Sequence, residues 1–168
     1  MDDSLCIYLH DHLAGAGFAI ELLEKLKESY PDHRTGAFAA ELLIEVREDS
    51  HVLETVIERV GKSSLDMKDA LAWFGEKASR MKLRHNNPIG LGAFEAVEAL
   101  SLGILGKVAL WQVMPRIAQD DPRVRGYDFA TLASKARAQF NKVEEYRLAL
   151  ALFVFRPNSS FEIPEDPH

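Results

Sequence analysis

Apolar residues recur every three or four positions over four long stretches of this chain, and this spacing restricts the fold more than any other feature. An α-helix has about 3.6 residues per turn, so such a series lies along one face of a helix. The first stretch runs through Leu5, Tyr8, His12, Gly15, Ala19, Leu22 and Leu26. The pattern predicts an all-α protein built from helices that each turn one stripe inward.

Prolines, glycines and capping residues divide the first half of the chain. We predict helix A over residues 4–29, ended by Pro31. Helix B is expected from Thr35, a suitable N-cap, to Gly61, a suitable C-terminal stop. A shorter helix is expected over residues 64–84. At about 1.5 Å per residue this helix spans roughly 30 Å, the length of a helical bundle.

The second half of the chain divides in the same way. Pro88 is expected in the first turn of helix C, which reaches Met114 because a proline follows directly. Residues 115–127 are polar and predict a loop with at most one short turn of helix. Asp128 is expected to cap helix D, which ends before Pro157.

Length and composition indicate one domain without a membrane span. The chain has 168 residues, of which 47% are hydrophobic and 27% charged, as in ordinary globular domains. We predict one helical bundle domain over residues 1–156 and an irregular, proline-containing tail over residues 157–168. No uncharged stretch approaches the roughly 20 residues that a transmembrane helix needs, so we expect no membrane partner.

Net charge and cysteine content indicate which partners and which cellular location to expect. The formal net charge is -6, whereas nucleic-acid binding needs clustered Lys and Arg, so we expect no nucleic-acid partner. Cys6 is the single cysteine and excludes an internal disulfide. The acidic start, Met1-Asp2-Asp3, differs from a signal or transit peptide. These features predict a cytoplasmic location.

Polar residues interrupt the inward stripes. The candidate core polar cluster consists of His12, Glu45, Asp49, Ser101 and Arg147, with Glu98 and Glu144 at its edges. A buried charge without a partner costs on the order of several kcal/mol. We therefore expect Asp49 and Arg147 to pair across the core.

Helix C has a second face, made of small residues. Its members are Gly92, Ala96, Ala99, Gly103 and Gly106. Small side chains let another helix approach closely, either the crossover helix of the same chain or a second subunit. We predict a homo-oligomer, most simply a homodimer, that uses either this surface or the outer face of the crossover helix.

The order of these elements, an A/B hairpin, a long crossover and a C/D hairpin, resembles the ferritin-like superfamily. The resemblance implies an antiparallel four-helix bundle with an additional crossover helix between helices B and C. Metal-binding members supply a Glu from two helices and Glu-x-x-His from the other two. Here Gly15 lies opposite Asp49, and Arg147 follows Glu144 where the family has histidine. Arginine has no lone pair for a metal, so the resemblance implies a degenerate di-metal site.

Helix B does contain a literal Glu-x-x-His, from Glu48 to His51. At about 100° per residue, His51 points away from the inward stripe, whose centre is Asp49. The match is therefore not expected to form a ligand pair.

Three functional hypotheses remain open. The first is a non-catalytic bundle without a cofactor, which acts through oligomer or partner contacts. The second is a di-iron or di-manganese oxidase or an iron-binding protein with an altered ligand set, His12, Glu45, Asp49, Glu98 and Glu144. The third is a pocket for a small apolar ligand beside Gly15 and Gly17, although the preferred interpretation is that these glycines make room for a bulky neighbour such as Phe140 or Trp111. No motif identifies catalytic residues, a substrate or a protein partner.

Overall fold

The protein is represented by a computed structural model that describes residues 3–61 and 87–156. Within these ranges the chain forms only helices, which confirms the all-α prediction. They are α1 (Ser4–Ser29), α2 (Arg34–Val60), α3 (Leu91–Asp120), a 3₁₀ helix (Pro122–Val124) and α4 (Phe129–Val154). None of these helices is both long enough and apolar enough to cross a bilayer. The predicted crossover helix over residues 64–84 and the tail over residues 157–168 lie outside the described residues.

The hairpin between α1 and α2 forms where the sequence predicts it, but its capping residue differs. Helix α1 has the predicted bounds, and Gly61 ends α2 as expected. The N-cap of α2 is His33 rather than Thr35, because the His33 Nδ1 atom accepts from the Thr35 backbone N–H at 3.1 Å. Thr35 is instead buried, and its hydroxyl donates to the Pro88 carbonyl at 2.7 Å. The same hydroxyl lies 2.9 Å from the Tyr146 hydroxyl, so Thr35 joins α2 to α4 and to the turn before α3.

Helix α3 is displaced from its predicted bounds at both ends. It begins at Leu91 after Gly90, because Pro88 lies in a turn closed by the hydrogen bond from the Gly90 N–H to the Asn87 carbonyl. It also continues through Pro115 to Asp120. A proline inside a helix costs about 3 kcal/mol. Here fully buried Met114 precedes it, and the turn that follows is also packed against the core.

The connection between α3 and α4 agrees with its sequence prediction more closely than the ends of α3 do. The segment after α3 contains one short turn, the 3₁₀ helix Pro122–Val124, and Val124 is fully buried. Arg123 holds this turn against the end of α2 by donating to the Val60 carbonyl at 3.1 Å. Asp128 caps α4 as predicted, since its carboxylate accepts from the Thr131 N–H at 3.0 Å.

In the part of the chain that the structure describes, apolar side chains form two cores, one toward each end of the helices. The first contains Leu22, Leu26, Leu42, Val46, Val97, Leu100, Ile104 and Val143 among others. The second contains Leu9, Leu53, Val56, Val108, Trp111, Met114 and Ala136 among others. On α2 the boundary falls between Val46 and Leu53, and on α3 between Ile104 and Val108. The positions between the two cores carry the polar side chains that form the candidate site.

The tightest constraint on the hairpin is Gly36, in the first turn of α2. A Cβ atom at this position would overlap the Tyr30 backbone carbonyl, which no rotamer can relieve. We expect Gly36→Ala to lower the free energy of unfolding by about 1–3 kcal/mol, as overpacking does. The matched control is Gly15→Ala on α1, where a Cβ meets no atom of the described residues within 4 Å. There the better helix propensity of alanine should add up to about 1 kcal/mol.

Urea denaturation of both variants measures these changes. Equal effects of the two substitutions would show that the close approach of Gly36 to Tyr30 does not limit stability.

Candidate functional site

Three polar side chains from three helices meet between the two apolar cores. We call this group the polar layer, and it consists of Asp49 on α2, Lys107 on α3 and Gln139 on α4. The Lys107 ammonium donates to the Asp49 carboxylate and to the Gln139 side-chain oxygen. The Gln139 amide nitrogen donates back to Asp49 at 3.1 Å. Each residue contacts both others, so the layer links three helices.

The polar layer continues to the surface through Glu45. The Gln139 amide nitrogen also donates to the Glu45 carboxylate at 3.0 Å, and Lys142 donates to it at 3.2 Å. The side chains of Glu45 and Lys142 are each 40% exposed, whereas those of Asp49 and Lys107 are 14% and 17% exposed. The charge is therefore most deeply buried at the pair of Asp49 and Lys107.

Burial and attraction act in opposite directions on Lys107. Removal from water lowers the pKa of its ammonium, and the nearby Asp49 carboxylate offsets part of this effect by attraction and a hydrogen bond. The net direction is downward. The charged form of Lys107 thus depends on Asp49, and without it the lysine would keep the full cost of burial.

The predicted pair of Asp49 and Arg147 does not form. Arg147 instead donates to Glu144 on its own helix, with Nε–oxygen distances of 3.0 and 3.1 Å, and to Glu98 on α3 at 3.0 Å. The physical reason is position along α4. Asp49 is level with Gln139, and Arg147 lies eight residues further on, a rise of about 12 Å.

Arg147 is the centre of a second charged group, the arginine cluster, formed with Glu98, Ser101 and Glu144. The Ser101 hydroxyl donates to the Glu144 carboxylate at 2.8 Å. Hydrogen bonds from Arg147 and then from Ser101 hold the pKa of Glu144 below its usual value. Ser101 is buried, as its place in the stripe indicates, whereas the Arg147 side chain remains 21% exposed.

His12 belongs to neither charged group. It lies on α1, half-buried, with its ring edge-to-face against Tyr8 at a centroid distance of 4.6 Å. Burial lowers the pKa of His12, while the neighbouring Asp11 carboxylate acts in the opposite direction. The neutral imidazole is therefore favoured.

His12 helps to line a pocket of about 280 Å³ between α1, α2 and α3. Asp49 and Lys107 also reach this pocket, so the polar layer forms part of its wall. Gly15 lines it as well, on the same level as Asp49, as counting from the hairpin predicts.

The five residues of the predicted core polar cluster are thus divided among three places. Glu45 and Asp49 lie in or beside the polar layer, Ser101 and Arg147 in the arginine cluster, and His12 on the pocket wall. Among the described residues, no three His, Cys, Asp or Glu side chains come together in a group that could hold a metal ion. The altered ligand set of His12, Glu45, Asp49, Glu98 and Glu144 is therefore not assembled.

The Glu48-x-x-His51 match lies on the surface. Both residues are exposed, and the His51 ring is 3.4 Å from Glu54 on the outer face of α2.

Lys107 and Gln139 were not among the predicted site residues, although each has a recognisable position in the sequence. Lys107 is the single charged residue between Glu98 and Arg116, in an otherwise uncharged stretch of helix. A charge so placed on a bundle helix needs a partner. Gln139 occupies the gap in the α4 stripe between Ala136 and Val143, where an inward residue is expected.

Comparison of the chain with protein-family models, with curated proteins and with solved structures found no match.

The ion pair of Asp49 and Lys107 gives a direct stability prediction. Asp49→Leu leaves the buried ammonium without its partner and should lower the free energy of unfolding by roughly 3–5 kcal/mol. The double variant Asp49→Leu with Lys107→Met should recover much of this loss, because apolar replacement of a buried pair is often neutral.

The matched control combines Asp49→Leu with Arg147→Met. These side chains belong to different groups, so their losses should add within about 0.5 kcal/mol. Urea denaturation of the parent protein, the single variants and the double variants gives two double-mutant cycles, one for Asp49 with Lys107 and one for Asp49 with Arg147. Additive losses at Asp49 and Lys107, or coupling between Asp49 and Arg147, would contradict the arrangement described above.

Proposed function

We propose that this chain is a ferritin-like helical bundle whose di-metal site is replaced by charge pairs in the core, and that it acts through oligomer or partner contacts rather than by catalysis. The observation that carries this proposal is the pairing of the inward carboxylates with cations of the same chain. Each carboxylate that the metal hypothesis needs has a lysine or arginine beside it.

Contacts at the helix ends support the ferritin-like arrangement. The Cys6 thiol in the first turn of α1 donates to the Gly61 carbonyl at the end of α2, at 2.8 Å. Thr35 at the start of α2 bonds to Pro88 just before α3, and Tyr127 just before α4 donates to the Thr55 carbonyl near the end of α2. These contacts fit α1 and α4 running one way and α2 and α3 the other. A crossover over residues 64–84 would then connect the two parallel helices.

The charge pairs argue against a di-metal centre in the bundle core. Lys107 pairs with Asp49, Lys142 with Glu45, and Arg147 with both Glu98 and Glu144. Protonated lysine and arginine have no lone pair, and each occupies the carboxylate oxygens that a metal would need. Iron or manganese would have to displace three cations, two of them from partly desolvated positions. The donor set therefore does not fit a di-metal group.

The proposed oligomer contact uses the part of α3 around Gly103 and Gly106. The predicted small-residue face is divided, because Ala96 is fully buried within the chain whereas Gly103 is exposed. Beside these glycines, Leu102 is 65% exposed and Leu105 is 39% exposed. Open glycines next to exposed leucines permit close approach of a second helix together with apolar burial. A homodimer through this surface is the simplest form of the proposal.

A cytoplasmic location, without nucleic-acid or membrane partners, is part of the same proposal. The single cysteine and the net charge of -6 support it.

Metal analysis tests the core of the proposal. Protein produced in medium supplemented with iron and manganese should contain far less than one ion per chain, because the inward carboxylates are already paired. Elemental analysis of the purified protein gives this ratio. The comparison is Lys107→Gln, which removes the cation beside Asp49 and should bind added Co²⁺ more tightly than the parent in equilibrium dialysis. Stoichiometric iron or manganese in the parent protein would favour the metal-carboxylate hypothesis instead.

Light scattering coupled to gel filtration tests the oligomer contact. The parent protein should elute as a dimer, and Leu102→Glu should convert it to a monomer by placing a charge in the apolar contact. The matched control is Ile44→Glu on α2, where the parent side chain is 62% exposed on a different helix. This variant should remain a dimer. A monomeric parent protein, or equal effects of the two variants, would exclude the proposed surface.

A further inference from the structure

The pocket between α1, α2 and α3 exists because small residues face each other across it. Gly15, Ala16 and Ala19 line it from α1, and Gly103 lines it from α3. A Cβ atom on Gly15 or on Gly103 would meet no atom of the described residues within 4 Å. Trp111, a candidate to fill the space beside Gly15, instead forms part of the pocket wall. Its ring stacks on Phe129 with the ring centroids 6.0 Å apart. The space beside Gly15 is therefore not taken by a large neighbour.

The walls of the pocket are mainly apolar, and the charged pair in them, Asp49 and Lys107, is already hydrogen-bonded. The apolar lining consists of Ala16, Ala19, Val46, Leu53, Ile104, Leu110 and Trp111. Asp49 and Lys107 satisfy each other and Gln139. Within the described part of the chain, no buried side-chain nitrogen or oxygen lacks a hydrogen-bond partner. The pocket thus offers mainly apolar surface, and Asp11, His12 and Ser50 supply the rest of its polar lining.

Charge restricts the occupant further. Asp11 and Asp49 carry two negative charges and Lys107 carries one positive charge, so the lining is formally negative by one. An anion would meet this excess negative charge and would lose its hydration inside apolar walls. A cation would have to compete with Lys107 for Asp49. Neither an anion nor a cation therefore gains free energy by entering the pocket. An uncharged molecule loses little hydration free energy on entry.

We propose that this pocket is a binding site for a compact, uncharged, largely apolar small molecule. Its volume of about 280 Å³ lies near the lower end for ligand sites. Apolar cavities of about 150 Å³ in proteins bind benzene, so this pocket has room for a molecule of about two or three rings. Burial of the ligand against Leu53, Ile104 and Trp111 would supply the affinity.

Two fluorescent probes with the same aromatic skeleton test the proposed ligand class. N-phenyl-1-naphthylamine is uncharged at neutral pH, and 8-anilino-1-naphthalenesulfonate adds one sulfonate group. We expect the uncharged probe to bind with one site per chain and a fluorescence increase, and the sulfonate to bind about tenfold more weakly or worse. No binding of the uncharged probe, or tighter binding of the sulfonate, would overturn the proposal.

Two leucine variants test the location. Gly15→Leu places a side chain into the pocket and should weaken binding of the uncharged probe by about tenfold or more. The matched control, Ala37→Leu, adds the same side chain at an exposed position of α2 that does not line the pocket. It should change the affinity less than about twofold. Thermal unfolding of both variants verifies that they are folded. Unchanged binding in a folded Gly15→Leu variant would exclude this pocket as the site.

Discussion

The structure depends on how one buried ammonium is accommodated. Lys107 lies between two apolar cores, where a lone charge would cost on the order of several kcal/mol. Asp49 from α2 and Gln139 from α4 together offset part of this cost. Asp49 and Gln139 must both lie at the same height along the bundle as Lys107. This requirement restricts how far α2, α3 and α4 can slide past one another. A bundle with interchangeable apolar layers would not have this restriction.

The same polar layer accounts for the other features of the interior. Because Asp49 is paired with Lys107 and Arg147 is one bundle layer away, the arginine forms its own cluster with Glu98 and Glu144. Because α1 presents Gly15 and Ala16 at this height, no large side chain of the described residues fills the space beside the layer, and a pocket remains there. From the charge pairs we propose a bundle without a di-metal centre, and from the pocket we propose the binding of a small molecule.

Helix positions could be predicted from the sequence to within a few residues, because their signals are local. The bounds of α1, the stop at Gly61 and the cap at Asp128 each depend on residues within one turn. The prediction that α3 ends before Pro115 is wrong, because tertiary packing on both sides offsets the free-energy cost of a proline inside a helix. Thr35 was misjudged as a cap because its hydroxyl is used by Pro88 and Tyr146, far away in sequence.

By itself, the sequence determined that the chain is helical, where its four described helices lie approximately, and that Asp49 and Ser101 are directed inward. Periodicity is enough for these conclusions, because it depends only on the rise and turn of a helix. Only the tertiary structure decided which charged side chains pair and where a pocket remains between the helices. Pairing depends on the relative heights and rotations of helices that are far apart in sequence. A shift of one turn, about 5.4 Å, would exchange the partner of a side chain such as Asp49.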